Sequence, residues 1–72
     1  MTGVIKAIIR KREGQNGGYF FIRDEENNER FAHARNLVDV TFDALKEGRR
    51  VEFEPLNLPG KGLRADAVRV IE

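Results

Sequence analysis

Gly18-Tyr19-Phe20-Phe21-Ile22-Arg23, followed after a polar stretch by Arg30-Phe31-Ala32-His33-Ala34, holds the densest structural information in the chain. Both segments have the composition of short strands, and the polar residues Asp24 to Glu29 between them read as a solvated turn. Side chains alternate along a strand, so Tyr19, Phe21 and Arg23 share one face while Phe20 and Ile22 take the other. In the second segment Phe31 and His33 lie opposite Arg30 and Ala32 by the same count. Antiparallel pairing gathers Tyr19, Phe21, Phe31 and His33 on one side of a sheet. Small barrels also bury aromatics, but the neighbours Tyr19 and Phe20 cannot both point inward. One aromatic face is therefore expected at the surface.

Upstream, Gly3 to Arg10 is rich in β-branched residues and reads as a strand, and Arg12 to Gly18 reads as a hairpin loop. Downstream, Val38 to Leu45 carries Phe42 and Leu45 at a helical spacing. With Thr41 as N-cap and Gly48 as stop, it predicts one or two helical turns. Arg49 to Glu54 alternates polar and apolar as a fourth strand. Pro55 to Gly62, with two prolines and two glycines, reads as a mobile loop, and Leu63 to Ile71 as a last strand. The order predicts an all-β fold: a five-stranded antiparallel OB-type barrel with a short helical turn between strands 3 and 4. An SH3-like barrel is the rival. No repeat or linker interrupts the pattern, so residues 1–72 read as one domain.

Composition narrows the function. The 72 residues contain no Cys and a single His, which excludes a disulfide scaffold and argues against a metal centre. Thirteen Lys+Arg against twelve Asp+Glu give a net charge of +1, too little to coat a duplex by charge alone. The charge is uneven, with seven basic and five acidic residues in 1–35 and six against seven in 36–72. Lys6, Arg10, Arg23 and Arg35 are placed to rim the aromatic face. Arg10-Lys11-Arg12, partly offset by Glu13, and Lys61 and Arg64 in the late loop are further candidates for phosphate contact. No apolar run approaches a membrane span and no secretory leader pattern opens the chain, so a cytoplasmic protein with no membrane partner is expected. No Ser/His/Asp or Cys/His set and no paired carboxylates occur, so neither an enzyme nor a cofactor is expected. The glycines at 14, 17 and 18 lack the Lys and following helix of a phosphate loop.

Gly17-Gly18-Tyr19-Phe20-Phe21-Ile22 with Arg30-Phe31-Ala32-His33 resembles the paired ribonucleoprotein motifs of the cold-shock domain, Lys-Gly-Phe-Gly-Phe-Ile and Val-Phe-Val-His. The likeness runs through the whole chain. Gly3-Val4-Ile5-Lys6 is similar to the family's opening Gly-Thr-Val-Lys, Leu45 to Phe53 to its Leu-x-Glu-Gly-Gln-x-Val-x-Phe, and Gly60-Lys61-Gly62 to Val68 to its closing loop and strand. The resemblance implies binding of single-stranded RNA and DNA, with an RNA chaperone role. Its stacking residues would be Tyr19, Phe21, Phe31 and His33, with Lys6 on phosphate. Phe42 reads equally as the family's loop aromatic and as a lid on the barrel bottom.

Five positions depart from the family pattern. Ala7 stands for its stacking Trp, Ile8 for the following Phe and Ala34 for the aromatic after the His, so three base platforms are missing. Each is worth roughly 1–3 kcal/mol, which implies weaker binding unless Arg10, Lys11 and Arg12, in a longer first hairpin, compensate. Phe20 replaces a motif Gly on the core face, and the small Ala32 on the neighbouring strand is expected to return that volume. Arg30, where the family is apolar, has no role that the sequence explains. The expected partners are single-stranded RNA or DNA, bound by a monomer or weak homodimer. A protein-interaction barrel that has lost nucleic-acid affinity is the alternative.

Overall fold

The computed structural model describes residues 1–10 and 18–72. Its strands are β1 (Thr2–Arg10), β2 (Gly18–Asp24), β3 (Glu29–His33), β4 (Arg50–Leu58) and β5 (Gly62–Val70). They close a barrel in the order β1-β2-β3-β5-β4. The pairings are antiparallel except where β3 meets β5 in parallel, with Phe31 opposite Arg64. Two 3-10 turns, Ala34–Asn36 and Phe42–Ala44, occupy the β3 to β4 connection. The second falls where helical turns are expected, with Thr41 at the N-cap position but no side-chain capping bond. The first was not foreseen.

The alternation read from β2 and β3 holds residue by residue. Phe20, Ile22 and Ala32 are fully buried, and with Ile5, Leu45, Val51, Phe53, Ala65 and Val68 they form the core. Phe20 stands directly opposite Ala32 in the β2–β3 ladder, so the large side chain is matched to a small partner as expected. Closing so small a barrel bends its strands sharply. Register shifts between Ile5 and Ala7 on β1 and between Glu52 and Glu54 on β4 supply that curvature, and Lys6 sits in the first of them.

Two expectations are corrected. Pro55 to Leu58 is not loop but the continuation of β4, laddered to β5 as far as Leu58 opposite Gly62. Beyond Phe53, which exchanges backbone hydrogen bonds with Met1, the strand has left the N-terminal segment, so the missing N–H of Pro55 sacrifices no bond on that edge. The turn shrinks to the residues around Gly60, whose φ of 76° is in the left-handed region.

Asp24 is the second correction, because it is 4% exposed rather than solvated. Its Oδ1 accepts the N–H groups of Glu26 (2.9 Å) and Asn28 (2.8 Å), which folds the turn, and its Oδ2 accepts Arg30 Nε at 2.7 Å. Arg30, itself 4% exposed, also donates through Nη1 to the carbonyl of Arg64 at 2.9 Å and to Leu56 O and Asn57 Oδ1 at 3.4 Å. Its guanidinium lies 5.7 Å from the Phe53 ring centre. The residue unexplained by sequence is thus a clasp that ties β3 to the β4–β5 hairpin.

Burial works to raise the Asp24 pKa. The Asn28 N–H, the Arg30 guanidinium and the Glu26 N–H outweigh it and hold the carboxyl below its ordinary 3.8.

A Cβ added at Gly18 would lie 2.7 Å from the Ile9 carbonyl and 2.7 Å from Cε2 of Phe42. Gly18→Ala is therefore expected to destabilise by roughly 1–3 kcal/mol, read as a lower urea midpoint. An unchanged midpoint would mean that Phe42 and β1 move aside freely.

Candidate nucleic-acid interface

The outer face of β2 and β3 is built by the same alternation that builds the core. Tyr19 and Phe31 stack with ring centres 5.3 Å apart and planes 29° apart, and Phe21 meets each of them edge-on at 5.9 Å. All three are partly exposed. A compact aromatic platform therefore stands outside the barrel.

His33 lies opposite Tyr19 in the ladder and extends the platform. Its position is held from two sides. Asn36 Oδ1 accepts the His33 N–H at 2.9 Å, while His33 Nδ1 accepts the Arg35 N–H at 3.2 Å and so caps the first 3-10 turn. Asn36 in turn donates to Asp66 at 2.8 Å. With Nδ1 engaged, Nε2 is the ring atom left to meet a ligand.

The cations divide. Lys6 is exposed at the β1 bulge beside the position of Ala7, which faces Phe21. Arg23 ends the platform and lies in one row with Val4 and Arg50 across β2, β1 and β4. These three line a cleft of about 270 Å³ that continues the face toward β4. Arg35 is exposed on the 3-10 turn after His33, and Lys61 is exposed at the tip of the β4–β5 hairpin. Lys11 and Arg12 lie outside the described residues.

Arg10 and Phe42 are not beside the platform. Arg10 pairs with the buried Gly18, so its side chain leaves β1 on the core side at the end of the barrel. There it lies 5.3 Å from the Phe42 ring centre and donates to the carbonyls of Phe42 (3.4 Å) and Leu45 (3.1 Å). Phe42 packs on Phe20 with ring centres 6.3 Å apart. The ring lies in the space over Gly18, where a lid on the barrel would sit.

Arg64 is the residue that sequence reasoning undervalued. Its guanidinium carbon lies 4.5 Å over the ring of Phe31, the closest cation on an aromatic among the described residues. The sequence grouped it with Lys61 in a loop. The β-alternation of the last strand would have placed it on a face, but its partnership with Phe31 depends on the parallel closure. Val4 and Ile9, 40% and 41% exposed, add an aliphatic margin on β1, the strand that carries Ala7 and Ile8.

A closed five-stranded barrel with an aromatic face and a basic margin defines an OB-type nucleic-acid-binding module. Comparison with known proteins specifies it further. The family model described as 'Cold-shock' DNA-binding domain matches residues 1–71. The chain is similar to the cold shock-like protein of Thermotoga maritima, at 36% identity over 72 residues that span all of both chains. The chain belongs to the cold-shock domain family, a family of nucleic-acid-binding domains. Among the described residues, no three His, Asp or Glu side chains cluster to hold a metal, and no helix is long and apolar enough to cross a membrane.

Proposed function

We propose that this protein binds single-stranded RNA or DNA by stacking bases on Tyr19, Phe21, Phe31 and His33, and acts as an RNA chaperone in the cytoplasm. The observation that carries this reading is the mutual packing of three partly exposed rings outside the core. The near-parallel Tyr19 and Phe31 rings, with Phe21 edge-on beside them, offer aromatic surface to bases, and each stacked base contributes roughly 1–3 kcal/mol. Stacking on protein competes with base pairing, so the barrel stabilises open strands without nucleotide hydrolysis. Residues 1–72 act as one binding domain, monomeric or weakly dimeric, with no cofactor and no catalytic step.

Lys6, Arg23, Arg35 and Lys61 are the proposed phosphate contacts. Arg10 and Phe42 meet a strand only where it passes the end of the barrel, and Lys11 and Arg12, which follow β1 in the sequence, are candidates for the same backbone. The exposed Val4 and Ile9 favour a second reading, a protein partner docked on the same face.

Fluorescence anisotropy with a labelled pyrimidine-rich single strand, as RNA and as DNA, against a duplex control separates the two. Neutralising about four phosphates gives a log–log salt slope near −3, so affinity should fall roughly fiftyfold between 50 and 200 mM salt. Duplex should bind far more weakly. Absence of single-strand binding at low salt would reject this function and leave the protein partner.

A further inference from the structure

Arg64 is built into the platform in a way that its charge alone does not require. Its backbone carbonyl accepts Arg30 Nη1 at 2.9 Å, so the buried Arg30–Asp24 pair anchors the chain at this point. Its side chain rises over Phe31 at 4.5 Å. Among the described residues no carboxylate or carbonyl engages that side chain, and its Nε is buried without an acceptor. Of the other described arginines, Arg10, Arg23, Arg30, Arg49, Arg50 and Arg69 spend side-chain donors on protein oxygens, and the exposed Arg35 does not. The guanidinium is therefore held by an aromatic ring, with its donors unspent.

This placement changes what Phe31 offers to a ligand. The guanidinium lies over part of the Phe31 ring, in the layer that stacked bases share. Tyr19, with its ring centre 5.3 Å from that of Phe31 and its plane only 29° away, carries the neighbouring position of the same layer, while Phe21 stands edge-on to both. A base on Tyr19 turns an edge toward the Arg64 donors. A guanidinium fork pairs with two adjacent acceptors, which guanine presents at O6 and N7 and single-stranded cytosine at O2 and N3. Adenine sets a donor beside its N7, and thymine or uracil separates its carbonyls by an N–H.

We propose that Arg64 is a base-selecting residue that gives the platform a preference for guanine or cytosine over adenine and thymine at one position. The proposal rests on the single-strand-binding reading above.

The test uses seven-nucleotide thymidine strands whose central base is thymine, adenine, cytosine or guanine, titrated by anisotropy with the wild-type chain, Arg64→Lys and Arg64→Gln. The expected result is that the guanine or the cytosine strand binds the wild type at least roughly fivefold more tightly than the adenine and thymine strands. Which of the two gains identifies the edge being read. Arg64→Lys, which keeps the charge and loses the fork, should level the series. Equal binding of all four strands by the wild type, or a preference that survives Arg64→Lys and Arg64→Gln, overturns the proposal while leaving single-strand binding intact. If no strand binds at all, the proposal and the reading beneath it both fail.

Discussion

Arg30→Ala is expected to remove a large share of the protein's folding stability. The pair it breaks is buried on both sides, with side chains 4% and 0% exposed and a 2.7 Å contact. Truncation strands the Asp24 carboxylate in the interior and removes the donor to the Arg64 carbonyl. Breaking a buried pair from one side costs about 3–5 kcal/mol. At roughly 0.05–0.15 kcal/mol per residue, a chain of 72 residues has about 4–11 kcal/mol in all, so the loss takes much of it. Urea unfolding followed by circular dichroism measures the effect. A loss under about 1 kcal/mol would show that water reaches the clasp and screens it.

The same pair carries a pH signature whose sign is set by Asp24. Its carboxyl is held below 3.8 in the fold despite burial, so its contribution is fully present above the unfolded value. That contribution is lost as pH falls through the lowered folded value. Glu25 is shifted in the same direction by the N–H and hydroxyl of Thr2 and adds a dependence of the same sign. Stability should therefore fall on acidification below about pH 4, and Asp24→Asn should flatten most of that fall.

Phe31→Ala is expected to cost roughly 1–3 kcal/mol of single-strand affinity, the largest effect of any one platform residue. Phe31 is the hub. It touches Tyr19 and Phe21 and seats Arg64, so its loss removes one stacking face and frees the guanidinium from the layer it occupies. Being on the outer face and partly exposed, it contributes less to folding than Phe20 or Phe53. A variant that stays folded and binds as well as wild type would move the interface elsewhere on the barrel. The salt series distinguishes the origin of the loss, since removal of a ring leaves the slope unchanged while removal of Lys6 or Arg23 makes it shallower.

The faces of β2 and β3 were legible in the sequence because they follow from a local rule. A period of two sorts Tyr19, Phe21, Phe31 and His33 from Phe20, Ile22 and Ala32 whatever the rest of the chain does. The number of strands and the barrel class followed from the spacing of short β-branched segments and from the family motifs. The clasp was not legible. An Arg and an Asp near a turn look like solvated groups until β4 and β5 close over them, and their burial depends on strands far along the chain. Pro55 misled for a related reason, since a proline breaks a strand only where both edges are paired, and edge pairing is a property of the sheet.

By itself, then, the sequence determined the local periodicity, and through it the fold class and the aromatic platform. Tertiary structure alone decided which cations join that platform. The parallel contact of β3 with β5 puts Arg64 over Phe31, the pairing of Arg10 with Gly18 sends Arg10 to the barrel end, and the Asp24–Arg30 pair is enclosed by the hairpin it holds. Alternation assigns a long charged side chain to a face but not to a partner. Its partner is set by which distant strand the closure of the barrel brings alongside.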